Sequence, residues 1–256
     1  MLGAILLGPW TLLALLLTIS TVALFEYYRM FEVRGYNPLV KGGIVAGVII
    51  LTFVFLERQS YIHAKYLELL MVPVIGLWFS FIFTRREEII RSVMVTITGI
   101  IYILLPLSLI PFLTQNELTG LAYNPEILIG VLLIIWTYDS GAYISGVLFG
   151  KHKMAPNISP KKSWEGFFGG MIFAVIVSFL YSKYTSLLNF TDWIVLSIII
   201  VLAGTTGDLI ESLMKREAGV KDSGTIMPGH GGILDRFDSL LLIIPFVFLY
   251  LYLIKI

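Results

Sequence analysis

EILIGVLLIIWTYDSGAYISGVLF, residues 126–149, is a run of 24 residues with two charges, Glu126 at its edge and Asp139 in its interior. About 20 mostly apolar residues suffice to cross the hydrocarbon core of a bilayer, so the stretch reads as a transmembrane helix. Asp139 then sits where an unpaired acid costs about 2.5–3.5 kcal/mol to insert. Outward from this run, the same criterion marks spans at residues 4–25, 39–56, 66–83, 89–113, 166–181, 192–210 and 240–254. The expected architecture is all-α: a polytopic integral membrane helical bundle of about eight spans, with Pro106 and Pro111 able to bend or end the fourth. Composition agrees, because 57% of the chain is apolar and 14% charged, whereas a soluble domain carries about a quarter charged residues. The absence of cysteine excludes a disulfide scaffold and thiolate chemistry, and with three histidines it argues against structural zinc.

The charges are sorted along the chain. Arg29, Arg34, Lys41, Arg85, Arg86, Arg91, Lys151, Lys153, Lys161, Lys162, Lys215, Arg216, Lys221 and Arg236 fall in odd-numbered loops, and only Arg58, Lys65, Lys183 and Lys255 fall in even loops or the tail. Basic residues favour the cytoplasmic side, which puts the odd loops in the cytoplasm and both termini outside. No basic residue precedes the first span and the first charge is Glu26, so that span is expected to be retained rather than cleaved as a signal peptide. The chain divides into four N-terminal spans, residues 1–125, and a C-terminal half, residues 126–256, expected to hold the chemistry. Gly43 with Gly47, Gly146 with Gly150 and Gly166 with Gly170 have the spacing that lets membrane helices approach closely.

The longest connections, residues 150–165 and 211–239, are the most polar and glycine-rich parts of the chain and share the predicted cytoplasmic face. Asp208 lies about a turn from that face, Asp139 about ten residues, roughly 15 Å, below it, and Asp235 and Asp238 stand where the last span re-enters. The four acids can approach one cytoplasm-facing polar cavity. Asp208 shares a helix face with Glu211 and Ser212, and Asp235 with Asp238. Clustered hard oxygen ligands suit Mg2+, which keeps several waters and is completed by phosphates; the alternative is that Asp208 and Asp235 pair with Lys215, Arg216 or Arg236 to tie helices together. Lys151, Ser159, Lys161, Lys162, Ser163, Lys215, Arg216, Lys221, His230 and Arg236 set cations and hydroxyls beside these acids, a combination fit for phosphoryl or nucleotidyl transfer, and Asp222, next to Lys221, is a further candidate for substrate binding. For any single lysine, attraction of a loop to the membrane surface is the simpler reading. The glycines before the last span, Gly231 and Gly232 among them, offer backbone amides to a phosphate. A P-loop is excluded, since only three residues separate Gly146 from Gly150 and His152 stands where serine or threonine is required.

SLMKREAGVKDSGTIMPGHGGILDRFD, residues 212–238, closely resembles the signature of phosphatidate cytidylyltransferases, also called CDP-diacylglycerol synthases: S, KR, KD, a small residue, PGHGG and DRxD over 27 positions. Asp139-Ser-Gly-Ala-Tyr143 with Gly146, Gly150-Lys151 and residues 159–166 looks like the family's second block, and residues 207–212 like its third. The N-terminal half matches in hydropathy alone. Relatives often begin with a short basic segment and a further span, whereas this sequence opens directly on Met-Leu-Gly-Ala-Ile, so a shortened start is the expectation. The resemblance implies an integral membrane enzyme that joins CTP to phosphatidic acid with Mg2+, a second cation being left open. It assigns Asp208 and Asp235 to the metal site, Asp139 to the block that completes the polar cavity, and Lys215 and Arg216 to phosphate. The expected setting is the cell membrane with the active site facing the cytoplasm; nucleic acid is not an expected partner, and a homodimer is compatible with the reading. In-line attack by the phosphatidate oxygen needs no covalent intermediate and no strong base. His230 is then a candidate proton carrier or a hydrogen-bond donor to phosphate. Two other classes share such features: an ion-coupled transporter, which predicts internal repeats that the halves do not show, and a CTP-using lipid kinase, which would release CDP.

Overall fold

The computed structural model describes residues 1–83, 89–115, 123–224 and 231–254, and 78% of the described residues are helical. A short helix α1 (Leu2–Leu7) stops at Gly8, whose φ of 134° is open to glycine, and Pro9 then opens α2 (Pro9–Glu32) at the one helical position where its missing amide costs nothing. The remaining long helices are α3 (Val40–Arg58), a segment Ile89–Thr114, α7 (Glu126–Phe149), α8 (Trp164–Tyr181), α9 (Phe190–Ala218) and α10 (Leu234–Leu253). Among the described residues, seven helices, these six with α2, are long and apolar enough to cross a membrane, and the chain is a multi-pass, all-α membrane protein.

Among the described residues the third expected span takes another form. Residues 66–83 divide into a 3-10 turn, Ala64–Leu70, and α4 (Met71–Phe83). Thirteen residues rise about 20 Å, short of the ~30 Å hydrocarbon layer. Pro73 fixes this start, since proline is tolerated in a first turn and not in a helix interior. Prolines also act in the fourth span without ending it. Helix α5 (Ile89–Gly99) passes into a π turn, Ile100–Leu104, just before Pro106 in α6 (Leu105–Leu109), and Ile110–Thr114 finishes as a 3-10 turn around Pro111. One strand pair joins the helices: β1 (Lys153–Ala155) runs antiparallel to β2 (Ser159–Ser163) between α7 and α8.

Two compact units result, Met1–Gln115 with Met214–Phe237, and Asn116–Leu213 with Asp238–Ile256. In the first, Tyr27 and Tyr28 are buried between α2, α3 and α5. The Tyr28 hydroxyl donates to the Thr96 carbonyl at 3.0 Å, and Thr96 Oγ1 accepts the Leu39 amide at 2.9 Å. Gly43 makes room for the Tyr28 ring: a Cβ there would stand 2.3 Å from its hydroxyl.

In the second unit α7 lies along α8 at glycine contacts. A Cβ on Gly166 would meet the Ala142 carbonyl at 2.8 Å, and one on Gly170 the Tyr138 ring at 2.7 Å, so the small-residue spacing of the sequence does bring these helices together. Trp193 is fully buried, edge-on to Tyr181 at 4.9 Å. Polar side chains fix the far ends of the helices: Tyr181 donates to the Glu126 carbonyl, Thr185 to its carboxylate and Tyr250 to Asp192, each at 2.8 Å.

Candidate active site

In the second unit, α7 carries Asp139 and α9 carries Asp208. Lys162, on β2, ends 2.6 Å from Asp208 Oδ2 and 3.4 Å from the Thr205 carbonyl. Asp139 is exposed and lies within electrostatic range of both Asp208 and Lys162. Neighbouring hydroxyls line the same helices, with Tyr138 Oη 2.6 Å from Thr205 Oγ1. Two acids on apolar helices thus have one lysine of β2 within electrostatic range, which lessens the cost of holding charge there.

The strand pair explains how Lys162 reaches Asp208. Ser163 ends β2 and caps α8, its Oγ accepting the Gly166 amide at 3.2 Å, while His152 Nδ1 meets Glu165 Oε1 at 2.6 Å. Lys162 is thereby held half-buried, whereas Lys151 and Lys161 remain exposed and Ser159 is half-buried. Asp238 is half-buried, its Oδ1 accepting the Ser239 amide at 2.6 Å.

In the first unit, Lys215 on α9 and Asp235 on α10 form an ion pair of 2.7 Å, their side chains 13% and 12% exposed. The Asp235 carboxylate also accepts the Ser223 amide at 3.0 Å, the Ser223 hydroxyl at 2.9 Å and the Gly232 amide at 2.7 Å. The Gly232 amide, offered to phosphate on the sequence reading, is thus engaged inside the chain. Gly231 has a φ of 80°, in the region that favours glycine. Arg216, Lys221, Asp222 and Arg236 are exposed, and an Arg216 guanidinium nitrogen reaches the Val220 carbonyl at 3.5 Å. His230, with Pro228 and Gly229, lies outside the described residues.

Glu26 is a residue that the sequence reading left as a mere first charge. It is 2% exposed and accepts the backbone amides of Ile233 and Leu234 at 3.1 and 2.8 Å. The available signal was its place directly after an apolar run, followed by Tyr27 and Tyr28, which extend the buried face of the same helix.

Among the described residues no group of three or more acids or histidines stands ready to hold one metal ion. The pair Asp139 and Asp208 nevertheless fits Mg2+, which commonly takes one or two protein carboxylates and fills its other positions with water and substrate phosphate. Asp235 is the poorer candidate as it stands, because a lysine, a hydroxyl and two amides already claim its oxygens.

Comparison with known proteins gives these clusters a family. Phosphatidate cytidylyltransferase of Haemophilus influenzae is 33% identical over 253 residues, which cover 91% of this chain and 87% of that relative. The phosphatidate cytidylyltransferases of Staphylococcus epidermidis and Staphylococcus aureus are each 37% identical over 210 residues, 80% of this chain and 66% of theirs. The chain thus spans just under two thirds of the staphylococcal relatives and most of the Haemophilus one. A model of the cytidylyltransferase family matches residues 1–254, and the chain belongs to that family.

Proposed function

We infer that this chain is an enzyme that transfers the cytidylyl group of CTP to phosphatidate, giving CDP-diacylglycerol and pyrophosphate in phospholipid synthesis. The observation that carries the reading is the Lys162–Asp208 pair beside Asp139, set on membrane-spanning helices of a cytidylyltransferase. An oxygen of the phosphatidate phosphomonoester attacks the α-phosphorus of CTP; the new P–O bond forms as the bond to the β-phosphate oxygen breaks, and pyrophosphate leaves. The nucleophile is already ionised near neutral pH, so no strong general base is needed.

Mg2+ held by Asp208 and Asp139 would neutralise charge on the triphosphate as it develops. Lys162 fixes the Asp208 carboxylate on one side and leaves Asp139 accessible. Lys151 and Lys161, exposed around the strand pair, supply positive charge for a triphosphate arriving from water. Phosphatidate keeps its acyl chains in lipid, which is why the chemistry belongs to a chain of apolar helices. Positioning and charge neutralisation contribute most of the rate in such transfers.

The test is a product analysis with purified chain, CTP, Mg2+ and phosphatidate in vesicles. CDP-diacylglycerol and pyrophosphate are expected in equal amounts; CDP with a further phosphorylated lipid would mark a kinase, and neither product from folded protein would sink the reading. The catalytic loops face the cytoplasm of the cell membrane on this reading. Asn157, exposed between β1 and β2, tests that in a chain without native cysteine. Asn157→Cys is expected to resist a membrane-impermeant thiol reagent on intact cells and to react once they are opened; labelling of intact cells would reverse the orientation.

A further inference from the structure

The start of α10 is capped from another helix. The first amides of a helix lack partners within it and carry the positive end of its dipole, and a neighbouring serine, threonine, asparagine or aspartate usually accepts them. Ile233, the residue before α10, has no side-chain oxygen to do so. Glu26 takes that place from α2, 207 and 208 residues away in sequence, with Oε1 on the Ile233 amide at 3.1 Å and Oε2 on the Leu234 amide at 2.8 Å.

The chain closes tightly on this carboxylate. A Cβ on Gly224 or on Gly232 would stand 2.5 Å from a Glu26 oxygen, so both positions accept only glycine while Glu26 stays where it is. Ser223 links it to the ion pair: its hydroxyl donates to Asp235 at 2.9 Å and lies 3.5 Å from Glu26 Oε2. Asp235 is the second residue of α10, so whatever fixes the first amides of that helix fixes Asp235 and the Lys215 it holds.

We propose that Glu26 is a positioning residue for cytidylyl transfer: its buried carboxylate holds the start of α10 and the Ser223–Gly224 and Gly232 backbone, so that Asp235 and Lys215 stand in one fixed arrangement. This rests on the cytidylyltransferase reading above and on the family resemblance of residues 212–238, which assigns Asp235 and Lys215 to the site of that transfer. The role is separate from substrate contact, because the carboxylate is occupied by amides of the chain itself.

The test compares the full-length parent with E26Q and E26D in detergent, measuring initial rates over a range of CTP, normalised to monodisperse folded protein. E26Q keeps one acceptor oxygen and turns an amide group toward a backbone N–H, so kcat is expected to fall about 10- to 100-fold while KM for CTP stays within about 3-fold. E26D keeps the charge and both acceptors on a shorter stem and is expected to lie between E26Q and the parent. A merely structural role would lower the yield of folded protein and leave kcat per folded molecule at the parent value; that result, or a change confined to KM, overturns the proposal. Where E26Q yields no folded protein, E26D decides alone: a lower kcat at unchanged KM supports the proposal and a parent kcat overturns it. A parent that forms no pyrophosphate from CTP and phosphatidate fails the activity reading and this proposal together, whereas an active parent with an equally active E26Q fails this proposal only.

Discussion

Asp208→Asn is expected to lower the rate of CDP-diacylglycerol formation by about 10²- to 10³-fold, the scale seen when one preorganised electrostatic group is lost from an active site, and to raise the Mg2+ concentration needed for half-maximal rate. The substitution keeps shape and removes charge. Lys162 Nζ loses its partner at 2.6 Å and keeps the Thr205 carbonyl at 3.4 Å, so the local structure has a fallback. The side chains of Lys162 and Asp208 are 23% and 36% exposed, and an ion pair this open contributes little to stability. The measurement is therefore a Mg2+ titration of activity on folded protein. Lys162→Met serves as the control that separates the two readings of this acid. If Asp208 only ties β2 to α9, removing either partner has the same effect and neither moves the Mg2+ dependence. If Asp208 holds the ion, the aspartate variant shifts the titration and the lysine variant does not. Retained activity across the titration in Asp208→Asn would remove Asp208 from the metal site.

The helices were legible because lipid imposes one strong rule on them. Residues 126–149 match α7 at both ends, since Pro125 precedes the run and Gly150 follows it. Where hydropathy and helix ends diverge, the sequence reading stops short. The first span was expected to end at residue 25 and the seventh at residue 210, yet α2 continues to Glu32 and α9 to Ala218. In both cases charged residues continue the helix beyond the apolar run, because a helix satisfies its own backbone whether or not lipid surrounds it. α10 likewise starts at Leu234 rather than residue 240, which makes Asp235 and Asp238 helical residues. The strand pair was not legible at all: three residues of β1 against five of β2 give too short a pattern for alternation to stand out.

The site was legible as chemistry and less so as partnership. Intramembrane acids with a supply of lysines could be named from residue type, and Asp208 with Lys162 is such a pair. Which lysine serves which acid depends on contacts between distant segments, and nothing in the spacing of Lys162 and Asp208 announces that they meet. Glu26 shows the same limit more sharply. Its partners are backbone amides more than two hundred residues away, and an amide has no signature in sequence. What the resemblance to a family motif could not supply was the reason for its glycines; Gly224 and Gly232 are small because the Glu26 carboxylate of α2 lies against them.

Asp235→Leu is expected to be among the most destabilising single changes in the chain, at about 3–5 kcal/mol, the cost of breaking a buried ion pair from one side. The pair is well enclosed, at 13% and 12% side-chain exposure, so solvent does little to screen it. A purely Coulombic account assigns equal cost to losing either partner. The hydrogen bonds predict an order instead. Lys215→Met leaves the Asp235 carboxylate with the Ser223 amide, the Ser223 hydroxyl and the Gly232 amide, three donors that continue to support the negative charge, and is expected to cost about 1–3 kcal/mol. Asp235→Leu removes the acceptor that those donors share with the Lys215 ammonium, and Ser223 and Gly232 are themselves buried. For a chain of this size about 1 kcal/mol corresponds to 2–4 °C in Tm, so thermal denaturation in detergent resolves the difference. Asp235→Leu should fall by roughly 10 °C, and Lys215→Met by clearly less, about half as much or under. Asp235→Asn, which keeps one acceptor oxygen, should fall between them in Tm and still lose turnover, which separates the electrostatic part of the role from the structural part. Equal losses for the leucine and methionine variants would mean that the lysine, and not the Ser223–Gly232 backbone, is what holds Asp235; a leucine variant within 2 °C of the parent, well inside the shift expected for a single kcal/mol, would mean that the pair contributes nothing to the fold and that its buried charge is maintained for chemistry alone.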